Sequence, residues 1–176
     1  LGKEIRKVVF TYSYLEFIRD FFIQNKIPIF FLGASKLNLD NAVRIEQESF
    51  PNLLIAGYHH GYFDKHLKSD EIIKSINESK AEILIVGMGC PIAEKWIMEN
   101  KDELQAKLIF SVGGFFDFLS KDKTMAPKWI YNSGFEWVFR LFQEPRRLFK
   151  RYMLANITLV LTIIKIKAIF FLKKLK

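Results

Sequence analysis

Four short apolar runs, each closed by glycine, set the limits on how this chain can fold. They are PIFFLG at 28–33, LLIAG at 53–57, ILIVG at 83–87 and LIFSVGG at 108–114. Each is too short for a core helix and lacks the apolar-polar alternation of a strand with one wet face. A strand buried on both sides is what remains. The strands read as 28–33, 53–56, 83–87 and 108–112. Helical spacing fills the gaps between them. Residues 14–25 place Leu15, Ile18 and Phe22 on one face. Residues 38–49 carry Leu39, Ala42, Val43 and Ile45 with polar positions between. Residues 70–79 turn Ile72, Ile73 and Ile76 inward, and Pro91 suits the first turn of a helix reaching about Asn100. Strands alternating with helices predict an α/β fold: a Rossmann-like parallel sheet with helices on both faces.

Such sheets bind ligands beyond the carboxyl ends of their strands. Those ends carry Gly33-Ala34-Ser35, Gly57-Tyr58-His59-His60-Gly61, Gly87-Met88-Gly89-Cys90-Pro91 and Gly113-Gly114. Glycine lets a backbone come close to a ligand and adopt positive φ.

The pattern changes after Ser120. Pro127 and Pro145 mark helix starts and Gly134 a break, so the chain divides into a core at 1–120 and a helical appendage with a tail at 121–176. Charge divides with it. Residues 1–139 hold 17 Lys/Arg against 18 Asp/Glu, whereas 140–176 hold 10 against Glu144 alone. A neutral body with a strongly basic end points to an anionic partner. The interleaved Leu148, Phe149 and Tyr152 favour an anionic membrane surface, and no nucleic acid is expected. Residues 153–172 approach the ~20 apolar residues of a membrane span. Lys165 and Lys167 interrupt them, so an interfacial helix is the expectation, with core packing or a homo-oligomer interface as the other uses. The start, LGKEIRKVVF, has no apolar export core and reads as the interior of a longer protein. A cytoplasmic location follows as the expectation. The single cysteine, Cys90, rules out an internal disulfide and a four-cysteine zinc site.

Each candidate site residue also has a plain structural use. Gly87-Met88-Gly89-Cys90-Pro91 can cradle a phosphate at a helix start, or be an ordinary strand-to-helix turn; it completes neither a Rossmann fingerprint nor a P-loop. Asp117 can accept from a ribose or sugar hydroxyl, or simply sit at a helix start. Glu94, one turn into the 91–100 helix, can be functional or simply favoured by the helix dipole. His59 and His60 read as loop histidines, one of them hydrogen-bonded under the sheet edge. Cys90 reads as a small packed residue. A helix from Pro145 puts Arg146 beside Lys150 and Arg147 beside Arg151, which can grip a diphosphate or an anionic lipid.

Further along, the motifs fall into a recognisable order. His60-Gly61-Tyr62-Phe63 comes first, then Gly89-Cys90-Pro91-Ile92-Ala93-Glu94 and Gly113-Gly114-Phe115-Phe116-Asp117-Phe118. Ala126-Pro127-Lys128-Trp129, Gly134-Phe135-Glu136-Trp137, Arg140-Leu141, Glu144-Pro145-Arg146-Arg147 and Arg151-Tyr152 follow. Over roughly residues 10–152 this resembles the WecG/TagA/CpsF glycosyltransferases (glycosyltransferase family 26). The resemblance implies a Rossmann-like domain with a helical membrane-binding appendage, peripheral on the inner face of the cell membrane. It implies transfer of an N-acetylhexosamine-type sugar from a UDP donor to an undecaprenyl-diphosphate-linked acceptor, in cell-surface polysaccharide or teichoic-acid synthesis, without a metal or other cofactor. By that resemblance Tyr62, Gly87, Gly89, Pro91, Glu94, Gly113, Gly114 and Asp117 bind the UDP-sugar. Arg140, Arg146, Arg147, Lys150 and Arg151 face the diphosphate or the membrane.

Four departures accompany the resemblance. The family's catalytic base falls before Leu1, so no catalytic residue is assigned. The family glutamine is Ala93, and the arginine before Ala-Pro-x-Trp is Met125. The early Gly-Ser-Asp-like element appears as Tyr12-Ser13-Tyr14. These departures leave a second reading open: an inactive membrane-surface remnant of the same family.

Overall fold

The computed structural model describes residues 11–65, 67–124, 126–127, 129–130, 133, 135–146, 148–149, 162 and 165–166. The chain divides into two compact units, Leu1–Thr124 and Met125–Lys176. The first contains α1 (Thr11–Gln24), β1 (Ile29–Gly33), α2 (Lys36–Ser49), β2 (Ile55–His59), α3 (Ser69–Glu78), β3 (Ile83–Gly87), α4 (Ile92–Asn100), β4 (Leu108–Ser111) and α5 (Phe115–Leu119). The second contains α6 (Glu136–Gln143).

The four strands form one all-parallel sheet in the order β2-β1-β3-β4. β1 and β3 are central and buried along their whole length, as continuous apolar runs require. Their side chains alternate between two cores. Ile29, Phe31, Ile83 and Ile85 face a layer holding Phe22 of α1, Leu39, Ala42 and Val43 of α2, and Phe115 and Phe116 of α5. Phe30, Leu32, Leu84 and Val86 face Ile72, Ile73 and Ile76 of α3 and Ala93 and Trp96 of α4. The chain runs one way from β1 to β2 and the other way from β3 to β4. The strand order therefore reverses between β1 and β3, where a sheet of this kind opens a crevice.

Three details differ from the sequence reading. β4 ends at Ser111, not at 112, and as an edge strand it leaves Leu108 exposed and its other residues half-buried. β2 begins at Ile55 and runs to His59, later than the apolar run at 53–56. It is an edge strand that half-buries alternate positions and exposes the others, and its bounds follow backbone pairing with Ile29–Leu32 of β1. Leu53 still packs in the core just ahead of it. On α2 the fourth inward residue is Glu46, not Ile45. Arg19 makes this possible: its Nε lies 3.1 Å from Glu46 Oε2 and its Nη2 donates to Oε1 at 3.2 Å. The guanidinium also stacks 4.1 Å from the Phe50 ring centre, so the buried charge is paired on both edges and covered.

The two central strands touch most closely at their carboxyl ends. Gly33 pairs with Gly87, and a Cβ built on Gly33 would lie 2.5 Å from the Gly87 backbone. A Cβ on Gly87 would meet the Phe116 ring at 2.6 Å. A ring can shift, but a central backbone cannot. We predict that Gly33→Ala destabilises the chain by about 3 kcal/mol or more, and Gly87→Ala by about 1–3 kcal/mol. Urea unfolding of both variants measures this. A larger loss at Gly87 than at Gly33 would contradict the backbone-contact account.

Candidate functional site

The carboxyl edge of the sheet is stitched into one surface by backbone hydrogen bonds. Ala34 N donates to Gly87 O at 3.0 Å, Gly61 N to Ala34 O at 2.9 Å, and Val112 N to Val86 O at 2.9 Å. All four strand ends are thereby held at the crevice. Ala34 adopts φ 54 there, a conformation that costs a non-glycine residue energy and is common where a chain is shaped for a ligand.

The glycines divide into two kinds. Gly33, Gly61 and Gly87 are buried, and their missing side chains make room for neighbouring atoms. Gly89 (φ 80) and Gly113 (φ 54) have positive φ, and a Cβ on either would meet nothing within 4 Å. These two turn the chain into open space at the ends of β3 and β4, where a ligand can approach the backbone. Gly87, placed with the ligand-facing glycines by its motif, is a packing position under Phe116.

Pro91 occupies the cap position of α4 after a cis peptide bond from Cys90. Cys90 is exposed, not packed. It lies beyond the last paired residue of β3, while the buried face of α4 is taken by Ala93 and Trp96. Glu94 stands in the first turn of α4 and accepts from Ser111 Oγ at 2.7 Å. The Ser111 hydroxyl, then a backbone N–H, hold the Glu94 carboxyl below the usual carboxylate range. At neutral pH it is an acceptor only.

Tyr62 is exposed on the loop after β2. Lys65 orders that loop by donating from Nζ to Gly61 O at 2.7 Å and Phe63 O at 3.0 Å, with its ammonium 4.4 Å from the Phe63 ring centre. Burial lowers the Lys65 pKa. Ser69 Oγ donates to Lys65 O and accepts from Trp96 Nε1 at 2.9 Å, which ties the loop to α4. His59 closes β2, its Nδ1 2.8 Å from His60 O, and burial lowers its pKa. His60 Nδ1 is buried without a hydrogen-bond partner among the described residues.

Asp117 lies in the first turn of α5. Asn38 Nδ2, from the start of α2, donates to its Oδ1 at 3.1 Å and to Asp122 Oδ2 at 3.1 Å. Lys123 Nζ pairs with its Oδ2. Gly114 borders the same carboxylate: a Cβ there would sit 3.6 Å from Oδ2. Asn38, Ser111, Lys65 and Lys123 belong to none of the motifs read from the sequence, although Lys65 and Ser111 stand beside two of them. Asn38 is 79 residues from Asp117 and meets it only through the fold.

In the second unit, Arg140 pairs with Glu136 at 2.7 Å one turn earlier on α6, and Arg146 is exposed. Trp129, Phe135, Trp137, Phe142 and Phe149 are exposed as well, while Leu148 is buried. Met125, Arg147, Lys150, Arg151 and Tyr152 lie outside the described residues, as does most of 153–172. Among the described residues no helix is long and apolar enough to cross a membrane, and no group of three His, Cys, Asp or Glu is placed to hold a metal.

The chain matches the Glycosyl transferase WecG/TagA/CpsF family over residues 1–171. It is also similar to proteins named N-acetylglucosaminyldiphosphoundecaprenol N-acetyl-beta-D-mannosaminyltransferase. The one from Staphylococcus aureus strain MW2 is 31% identical over 124 residues, covering 70% of this chain and 48% of that protein. The one from strain MRSA252 is 32% identical over the same shares. The chain spans about half the length of the curated relatives it matches.

The Ser111–Glu94 contact has a measurable consequence. Ser111→Ala removes the main cause of the low Glu94 pKa. We predict that the Glu94 carboxyl then titrates at higher pH, read from its side-chain carbon shift by NMR. An unchanged titration would show that the hydroxyl is not the cause.

Proposed function

The chain belongs to the WecG/TagA/CpsF glycosyltransferase family, and we propose that it supplies the sugar-nucleotide site of an enzyme of cell-surface polysaccharide or teichoic-acid synthesis. The enzyme moves an N-acetylhexosamine-type sugar, with N-acetylmannosamine or its uronic acid as family examples, from UDP to an undecaprenyl-diphosphate-linked acceptor. An acceptor hydroxyl attacks the anomeric carbon, the new glycosidic bond forms as the bond to UDP breaks, and the hydroxyl proton passes to a base. No residue here is assigned as that base.

One observation carries the reading: the sheet reverses its strand order between β1 and β3, and the open glycines Gly89 and Gly113 border that edge together with Asp117 and Glu94. A reversal of this kind is where nucleotides bind parallel α/β sheets. The turn at Gly89–Pro91 leads into α4, whose N-terminus favours a diphosphate. Asp117 offers carboxylate oxygens to nucleotide hydroxyls, and Tyr62 offers an exposed ring beside the edge.

The second unit is proposed to hold the protein at the inner face of the membrane and to meet the acceptor's diphosphate. Exposed Trp137 and Phe142 on α6, with Arg140 and Arg146, supply the apolar and cationic groups that an anionic lipid surface takes up.

A second reading is favoured by Ala93. It stands where the resemblance places a glutamine, and its side chain is fully buried against the core around Trp96. No polar arm from that position reaches the edge. This suits a non-catalytic binding remnant of the family.

Calorimetric titration of UDP and UDP-N-acetylhexosamines, with and without vesicles containing undecaprenyl phosphate, tests both readings. Saturable binding of UDP is expected, and retention on the vesicles is expected to weaken with salt. Vesicle binding without UDP binding would overturn the donor-site reading in favour of the remnant.

A further inference from the structure

The Asp117 carboxylate is held from two sides by groups that belong to no motif. Asn38 reaches it from α2 and Lys123 from the turn after α5. We propose that Asn38 and Lys123 are positioning residues that fix Asp117 to receive two adjacent hydroxyls of the nucleotide's ribose. The inference rests on the donor-site reading given above.

Asn38 is itself tightly specified. Its backbone N–H donates to Ser35 Oγ at 3.2 Å, the cap of α2, which fixes the first turn. Its amide then stands between two carboxylates, Asp117 and Asp122, each 3.1 Å from Nδ2. Carboxylates only accept, so the NH2 end must face them and both of its hydrogens are used. The amide keeps two like charges at a set separation. On the other side, Lys123 Nζ pairs with Asp117 Oδ2, and the Lys123 backbone N–H donates to Asp117 O at 3.0 Å, which locks the turn. The Ser120 hydroxyl donates to the same carbonyl at 3.0 Å.

The clamp occupies one direction on each carboxylate oxygen. Each oxygen accepts about two hydrogen bonds, so one further position per oxygen is left. With an ammonium already against it, the carboxylate has its charge balanced. What suits it is a neutral partner with two neighbouring donors, not a cation. Two adjacent hydroxyls on one ring fit that description. Gly114 keeps this side of the carboxylate clear, since any side chain there would start 3.6 Å from Oδ2. Without Asn38 or Lys123 the carboxylate can rotate, and the ordering would have to come from the ligand's binding free energy.

The test is a cycle between residue and ligand. UDP and 2′,3′-dideoxy-UDP are titrated into the 176-residue chain and into Asn38→Ala, Lys123→Ala, Lys123→Arg and Asp117→Asn. The chain itself is expected to prefer UDP by about tenfold or more, the worth of hydrogen bonds to a charged group. Asn38→Ala and Lys123→Ala are expected to lose most of that preference while binding dideoxy-UDP within about twofold of the parent chain, with Lys123→Arg restoring it. The dideoxy affinity separates positioning from damage, because a variant that misfolds loses both ligands. Lys123→Ala stands in if Asn38→Ala, which also unties α2 from α5, does not fold. Equal weakening of both ligands in Lys123→Ala would overturn the inference. So would a parent chain that binds UDP without preferring it over the dideoxy form, and in that case the donor-site reading survives. A parent chain that binds no UDP overturns both.

Discussion

The contact between the backbones of Gly33 and Gly87 is what the rest of the site depends on. The two central strands end side by side there, with no room for a Cβ on the first. The same lack of a side chain on Gly87 lets the Phe116 ring lie directly on the sheet. Phe116 also stacks against Phe31, with ring centres 5.2 Å apart. Phe116 is the residue before Asp117, so this packing sets where α5 stands and brings Asp117 within reach of Asn38 on α2. A steric fact in the core thus fixes a carboxylate at the surface. Because interiors are close-packed, such a shift is transmitted and not absorbed.

The second core plays the same part for the other half of the edge. Trp96 is buried on α4, yet its indole N–H needs a partner, and Ser69 of α3 supplies one. Ser69 passes the connection to Lys65, whose ammonium holds the carbonyls of Gly61 and Phe63. The loop that displays Tyr62 is therefore ordered from below by a chain of polar groups with satisfied partners. Such networks specify a single arrangement when they are complete. Both sides of the crevice are supported by packing and hydrogen bonds in the cores beneath it.

What was legible in the sequence follows from which forces act locally. β1 and β3 could be read because strands buried on both faces need apolar residues throughout, three of the helices because their apolar residues recur at helical spacing, and α4 because Pro91 marks its start. The edge strand β2 was displaced in that reading, since its bounds come from pairing with β1 and not from its own hydropathy. Glu46 was hidden for a related reason: a carboxylate reads as exposed until Arg19, 27 residues away, is known to cover it. Cys90 was read as packed on residue type alone, while its place past the end of β3 exposes it. The motif glycines were found, but sequence cannot tell a glycine that clears space for a ring from one that turns toward a ligand. Asn38 was illegible because its partner lies 79 residues along the chain, and Ser111, though it stands beside Gly113-Gly114, because nothing in the sequence pairs it with Glu94 on α4.

Ala93 stands where the resemblance places a glutamine, and the loss of a polar arm proposed there would leave the fold whole. The position lies on α4 one turn before Ile97 and three residues before Trp96, in a layer with Leu84 and Val86 where alanine leaves no exposed atom. A small apolar residue is at home there, so replacing a longer polar one costs the helix nothing and adds to its propensity. The loss would fall entirely on whatever the longer side chain touched beyond the core. Asp117 differs on this point. Its carboxylate is held by α2 and by the turn after α5, so changing it also disturbs the join between two elements. The nucleotide recognition proposed for Asp117 is therefore coupled to the stability of this unit more tightly than a polar arm at position 93 would be.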